Sequence, residues 1–139
     1  MADIIDLDLS QTVVDTLGIE FTECTKKMVV ATMPVTSITH QPFGIMHGGV
    51  SLVLAETVAS GGSLQFIDTD TQKVVGQEIN ANHIRSVSSG VVKAIGMPVH
   101  VGKKTIIWDV RIYDEAANII CMSRCTIAII NESTPCTYM

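Results

Sequence analysis

The segment that most restricts how this chain can fold is the run from Val50 to about Phe66, which is apolar almost throughout and follows Gly48-Gly49. A helix of that composition is buried on most of its sides. It carries one acid, Glu56. At about 100° per residue, Gly49, Glu56, Ser60 and Ser63 fall on one narrow strip. Leu52, Val53, Leu54, Val58, Ala59 and Leu64 cover much of the remainder. A carboxylate among such neighbours is costly unless it is paired or used. Two roles stay open for Glu56 at this level: bonding to neighbouring backbone on a half-exposed helix, or acting as a base or nucleophile.

The approach to the helix narrows the choice. Gln41-Pro42-Phe43-Gly44 is a turn signal. Gly48-Gly49 places bare backbone N–H groups at the helix start, where the macrodipole favours negative charge. A Gly48 N–H aimed at a developing oxyanion is worth roughly 10²–10³ in rate. Without such a role, Gly48-Gly49 is a loop-to-helix hinge.

Along the rest of the chain, 6–17 reads as a weak amphipathic helix, with Leu9, Val13, Val14 and Leu17 at helical spacing and Gly18 as its stop. Ile19–Glu23 and Lys27–Val35 read as a hairpin around Cys24-Thr25-Lys26. After a polar link at 68–72, strands are expected over Lys73–Arg85, Val87–Val99, Thr105–Tyr113 and Ile119–Ile130, with a turn at 101–104 and a loop at 114–118. Polar residues on both faces of 73–85 suit a subunit seam or a ligand site. The tail from Asn131 is expected to be loose. A twisted antiparallel sheet wrapped round one helix satisfies this order, giving an α+β class and one domain over 1–139.

Only 17% of the residues are charged, against about 25% in an ordinary soluble chain. Surface hidden between subunits accounts for such a deficit, so an oligomer is expected. A net charge of −5 argues against a nucleic-acid partner. The acidic N-terminus has no basic leader signature, and no uninterrupted apolar run is long enough to span a membrane, so a cytoplasmic location is expected. The cysteines at 24, 121, 125 and 136 form no Cys-x-x-Cys; Cys121 and Cys125 share one strand face and read as core residues. The histidines at 40, 47, 83 and 100 lack paired ligand spacing, so neither a metal site nor a cofactor is expected.

The run from Gln41 through His47-Gly48-Gly49 to the helical Glu56 resembles the loop and helix of the hotdog-fold acyl-CoA thioesterases. The run from Val75-Gly76-Gln77-Glu78 through Asn82-His83-Ile84-Arg85-Ser86 is similar to the next hallmark of the same branch. That branch includes 1,4-dihydroxy-2-naphthoyl-CoA thioesterases of menaquinone biosynthesis, enterobactin-pathway proofreading thioesterases and the arthrobacterial 4-hydroxybenzoyl-CoA thioesterase. The resemblance extends from about Leu17 to Ile130. It implies a hotdog fold, a homodimer or homotetramer with sites shared between subunits, and an aromatic acyl-CoA substrate. It implies that Gln41 and the Gly48 N–H polarise the carbonyl and that Glu56 activates water or attacks. Ser60 matches a hydroxyl position that helps hold the water or the acid, and His47 a position that orients the acyl group and the loop. Without that role Ser60 is a core serine bonding back into its helix. For the CoA phosphates the candidate donors are His83, Arg85, Ser86, Lys103 and Lys104. A hydroxyacyl-thioester dehydratase of the same fold and a non-catalytic acyl-binding module are the competing readings.

Overall fold

Trp108 is where sheet and helix meet. Its side chain is fully buried, and its indole N–H donates to Ser63 Oγ at 2.8 Å. Ser63 Oγ in turn donates to the Ala59 carbonyl at 2.8 Å. The helix can come this close because residue 62 is glycine; a Cβ there would stand 2.5 Å from the Trp108 ring. Ser63, which helical spacing puts on the Glu56 strip, is therefore a core group.

The computed structural model describes residue 4 and residues 7–132. In chain order these form α1 (Val13–Thr16), β1 (Glu20–Cys24), β2 (Val29–Pro34), α2 (Gly48–Ser63), a 3₁₀ turn (Leu64–Phe66), β3 (Gln72–His83), β4 (Val91–Val101), β5 (Thr105–Tyr113) and β6 (Ile119–Asn131). The strands make one antiparallel six-stranded sheet in the order β1-β2-β4-β5-β6-β3. β5 alternates as expected, with Ile106, Trp108, Val110 and Ile112 fully buried. Cys121, Cys125 and Ile127 of β6 join them in the core with Leu54, Val58 and Ala59 of α2. This is the hotdog arrangement the resemblance implies. Among the described residues no helix is long and apolar enough to cross a membrane.

Three expectations are corrected. The helix expected over 6–17 is a single turn, Val13–Thr16; residue 6 lies outside the described residues. Asp8 Oδ1 accepts from Ser10 N, Thr12 Oγ1 donates to the Leu9 carbonyl, and Gln11 has φ +59°. Such side-chain bonds compete with helical ones. β4 begins at Val91, because the Val87 and Ser88 carbonyls are taken by Met46 N and His40 Nε2 and because Gly90 has φ +84°. The expected alternation of β3 is broken by a bulge at Gln77, where the register steps from Gly76↔Ile127 to Glu78↔Thr126. The tail from 133 lies outside the described residues.

The bulge changes which side chains face α2. Before it, Val74 packs on the core; after it, Ile79 and Ala81 do. Gly76 and His83 are an odd number apart, so strict alternation would put them on opposite faces. With the extra residue both lie against the helix, Gly76 at Glu56 and His83 at Gly48.

Candidate active site

The loop before α2 is held from several sides. Gln41 N donates to the Ile45 carbonyl at 2.8 Å, Gly44 N to the Gln41 carbonyl at 3.0 Å and His47 N to the Thr39 carbonyl at 2.8 Å. Gly44 sits at φ +79°, a conformation that favours glycine. Gln41 Oε1 accepts from the Phe43 N–H. With its oxygen occupied inside the turn, the Gln41 amide keeps its NH₂ for donation.

His47 is the N-cap of α2. Its Nδ1 accepts from Gly49 N at 2.8 Å, and its carbonyl accepts from Val50 N at 3.0 Å. The Gly48 N–H has no acceptor among the described residues. An imidazole whose Nδ1 accepts carries its proton on Nε2 when neutral. His47 thus supports the helix start and leaves the Gly48 donor bare.

Gln41, Gly48, His83, Arg85 and Ser86 line one pocket of about 280 Å³. Ile84 N and Arg85 N both donate to the Ile120 carbonyl, which ends β3 and fixes this wall. Arg85 is exposed and close enough to Asp114 to act on its charge. The Asp114 carboxyl is held below the usual carboxylate range, first by the Asn118 amide and side chain, last by Arg85. Ser51, buried and also lining this pocket, escaped the sequence reading. Its only signal was the i, i+3 spacing from Gly48.

Glu56 and Ser60 face a different, more apolar pocket of about 550 Å³, with Val53, Leu64 and Val74 and with Val13 and Val14 of α1 in its wall. Glu56 is half-buried and has no hydrogen bond or ion pair among the described residues. Thr57 and Ser63 bond back to the helix, donating to the Val53 and Ala59 carbonyls. Ser60 Oγ has no partner among the described residues, so it is not the back-bonding serine that a core role would make it. Cys125 lies near Glu56. Burial first, then the charges of Glu56 and Glu78, push its thiol up to about 12. It stays protonated at neutral pH and is no competing nucleophile. Among the described residues no cluster of potential metal ligands exists.

One chain therefore brings Gln41, Gly48, His83, Arg85 and Ser86 together and brings Glu56 and Ser60 together, in two pockets with no shared lining residue. It does not bring the two groups together. Nor does it join Lys103 and Lys104 to the first group. The Lys104 carbonyl accepts from Ile129, whereas Ile84 and Arg85 bond to Ile120. Those two points on β6 are about 30 Å apart at strand rise.

Residues 43–121 match the family model described as the thioesterase superfamily. The chain is 47% identical over 115 residues to the 1,4-dihydroxy-2-naphthoyl-CoA hydrolase of Listeria monocytogenes, covering 83% of this chain and 93% of that one. It is 45% identical over 119 residues to the proofreading thioesterase EntH of Cronobacter turicensis, covering 85% of each. Among solved structures, a mutant of the thioesterase PA1618 from Pseudomonas aeruginosa superposes with a TM-score of 0.86 at 40% identity over 88% of each chain.

Proposed function

The chain belongs to the thioesterase superfamily and is a thioester hydrolase, and from that premise we propose that it hydrolyses an aromatic acyl-CoA such as 1,4-dihydroxy-2-naphthoyl-CoA. The observation that carries this reading is that one loop and helix hold two bare donors and one unpartnered acid, although in separate pockets. The Gly48 N–H and the Gln41 amide bind the thioester oxygen and hold the charge that develops on it. Glu56, with Ser60 one turn on, either deprotonates water for attack on the carbonyl carbon or attacks it directly to give an anhydride that water then opens. In both routes the carbon–sulfur bond breaks and CoA leaves as a thiolate that takes up a proton. The apolar pocket beside Glu56 suits an aromatic acyl group. His83, Arg85 and Ser86 beside Gly48 suit the CoA side, and Lys103 and Lys104 reach the same CoA from another subunit.

Two such pockets become one site in a homodimer or homotetramer. β3 supports this: it is a 12-residue strand at the sheet edge, with backbone groups open to pairing. β1, the other edge, is 5 residues long and bulged. Phe43 in the glutamine loop is 89% exposed and Ile84 beside the first pocket 54% exposed, as expected of surface that a second copy covers.

A free-thiol assay on a panel of acyl-CoAs tests the substrate. CoA release from 1,4-dihydroxy-2-naphthoyl-CoA is expected to be far faster than from short aliphatic acyl-CoAs, and equal rates across aliphatic chains count against the aromatic assignment. No thiol release from any of them leaves the binding module, and dehydration of a hydroxyacyl-CoA the dehydratase. Gln41→Ala is expected to lower kcat more than it raises KM, because an oxyanion donor acts mainly in the transition state. Steady-state kinetics with a change in KM alone would move Gln41 to ground-state binding.

A further inference from the structure

Gly76 lies directly against the Glu56 carboxylate. A Cβ built on it would stand 1.8 Å from Glu56 Oε1, 2.9 Å from Cδ and 3.5 Å from Cγ. The first distance is impossible and the second too short, so any other residue at 76 has to displace the carboxylate. The backbone does not explain the glycine. Positive φ occurs at Gly18, Gly44 and Gly90 and not at Gly76. Glycine also weakens a strand, and inside one it often marks a close approach by another group. Gly44 shows the contrast: it has positive φ and open space around its missing side chain.

Two further features bear on the direction of the carboxylate. Gly76 belongs to the edge strand β3, so a carboxylate seated on it points across the strand that borders the open side of the sheet. Gln77, the bulged residue, follows immediately, and bulges bend a strand locally and re-aim side chains. Glu56 has no hydrogen bond among the described residues to hold it in place. Its orientation rests on the shape of what surrounds it.

We propose that Gly76 is a positioning residue for the hydrolysis: the space left by its missing side chain is the seat that aims the Glu56 carboxylate across β3 toward the sheet edge. The inference rests on the reading of Glu56 as the group that activates water or attacks. Gly76 touches neither substrate nor reacting atoms in this scheme; it acts through Glu56.

The test is a double-mutant cycle of Gly76→Ala with Glu56→Asp, read as kcat, KM and thermal midpoint on the best aryl-CoA substrate. In an aspartate the carboxylate carbon takes the place of Glu56 Cγ, 3.5 Å from the new methyl, and rotation about Cβ–Cγ turns its oxygens away from the 2.9 Å position that Glu56 Cδ holds. G76A is expected to lower kcat by about 10- to 100-fold, the scale of misplacing a reacting group by about 1 Å, with KM changed less than about threefold. In the E56D background the same change is expected to cost less than about threefold in kcat and to leave the midpoint unmoved. Equal losses in the two backgrounds mean general damage to the strand and overturn the proposal, as does a G76A enzyme with parental kcat. If G76A does not fold, a folded G76A/E56D protein supports the steric coupling and an unfolded one overturns it. If E56D is too slow to assay, the midpoints alone are read by the same rule. Full activity in Glu56→Ala would remove the reading of Glu56 itself; an inactive Glu56→Ala beside a fully active G76A removes only the role of Gly76.

Discussion

Glu56→Ala and Glu56→Gln are each expected to lower kcat by about 10²–10⁴, the range of general-base help, while the protein keeps its fold. The loss follows from the lack of a substitute. Cys125, the nearby thiol, stays protonated because burial and the charges of Glu56 and Glu78 push it up to about 12. Ser60 has no base of its own once the acid is gone. The intact fold follows from the other side of the same geometry. Glu56 makes no hydrogen bond or ion pair among the described residues, so its removal orphans no buried partner. Glutamine keeps the shape against Gly76, so the comparison of E56Q with E56A separates charge from packing. Steady-state turnover and a thermal melt check both halves; near-parental kcat in Glu56→Ala ends this mechanism.

A mixture of Gln41→Ala and Glu56→Ala subunits is expected to regain activity that neither has alone. Gly48 and Glu56 are eight positions apart on α2, roughly 12 Å along the axis. A carbonyl oxygen must sit about 3 Å from the Gly48 N–H while its carbon is within about 3–3.5 Å of the attacking atom. The two groups also open into separate pockets. A second copy related by a two-fold axis that set one α2 antiparallel to the other would bring the donors of each beside the acid of its partner. In a mixed dimer one site then carries both substitutions and the other neither, so at most about half the parental activity returns per mixed dimer. Co-expression with two affinity tags isolates that species. Verified mixed dimers that stay as inactive as the single mutants overturn the shared site.

The sequence was most legible where one pattern decided the structure. Thr105–Tyr113 alternates without interruption and is β5 to the residue. The apolar run after Gly48-Gly49 is α2, which begins two residues earlier than its apolar pattern because His47 caps it. The failures came where local polar chemistry outweighed periodicity. Asp8 and Thr12 tie down their own backbone and leave α1 a single turn. Loop contacts take the carbonyls at 87 and 88 and delay β4. Within the candidate site, residues with reactive groups could be picked out from spacing and resemblance. Gly76 could not, because what it contributes is an absence, visible only when Glu56 is laid against it.

The bulge at Gln77 decides which changes in length β3 can take. Between Gly76 and His83 the chain holds one residue more than simple alternation needs, and each end meets a different part of α2. Deleting Gln77 itself leaves an even spacing in a regular strand and keeps both contacts facing α2, whereas deleting any other single residue there while the bulge stays turns one of them out to solvent. Deleting two restores the facing but draws the contacts together by about 6.6 Å, away from a helix whose spacing is unchanged. Loops elsewhere in such a fold absorb insertions at little cost. This segment works like a gauge block between two fixed points, and length variants of the protein are expected to spare it except at Gln77.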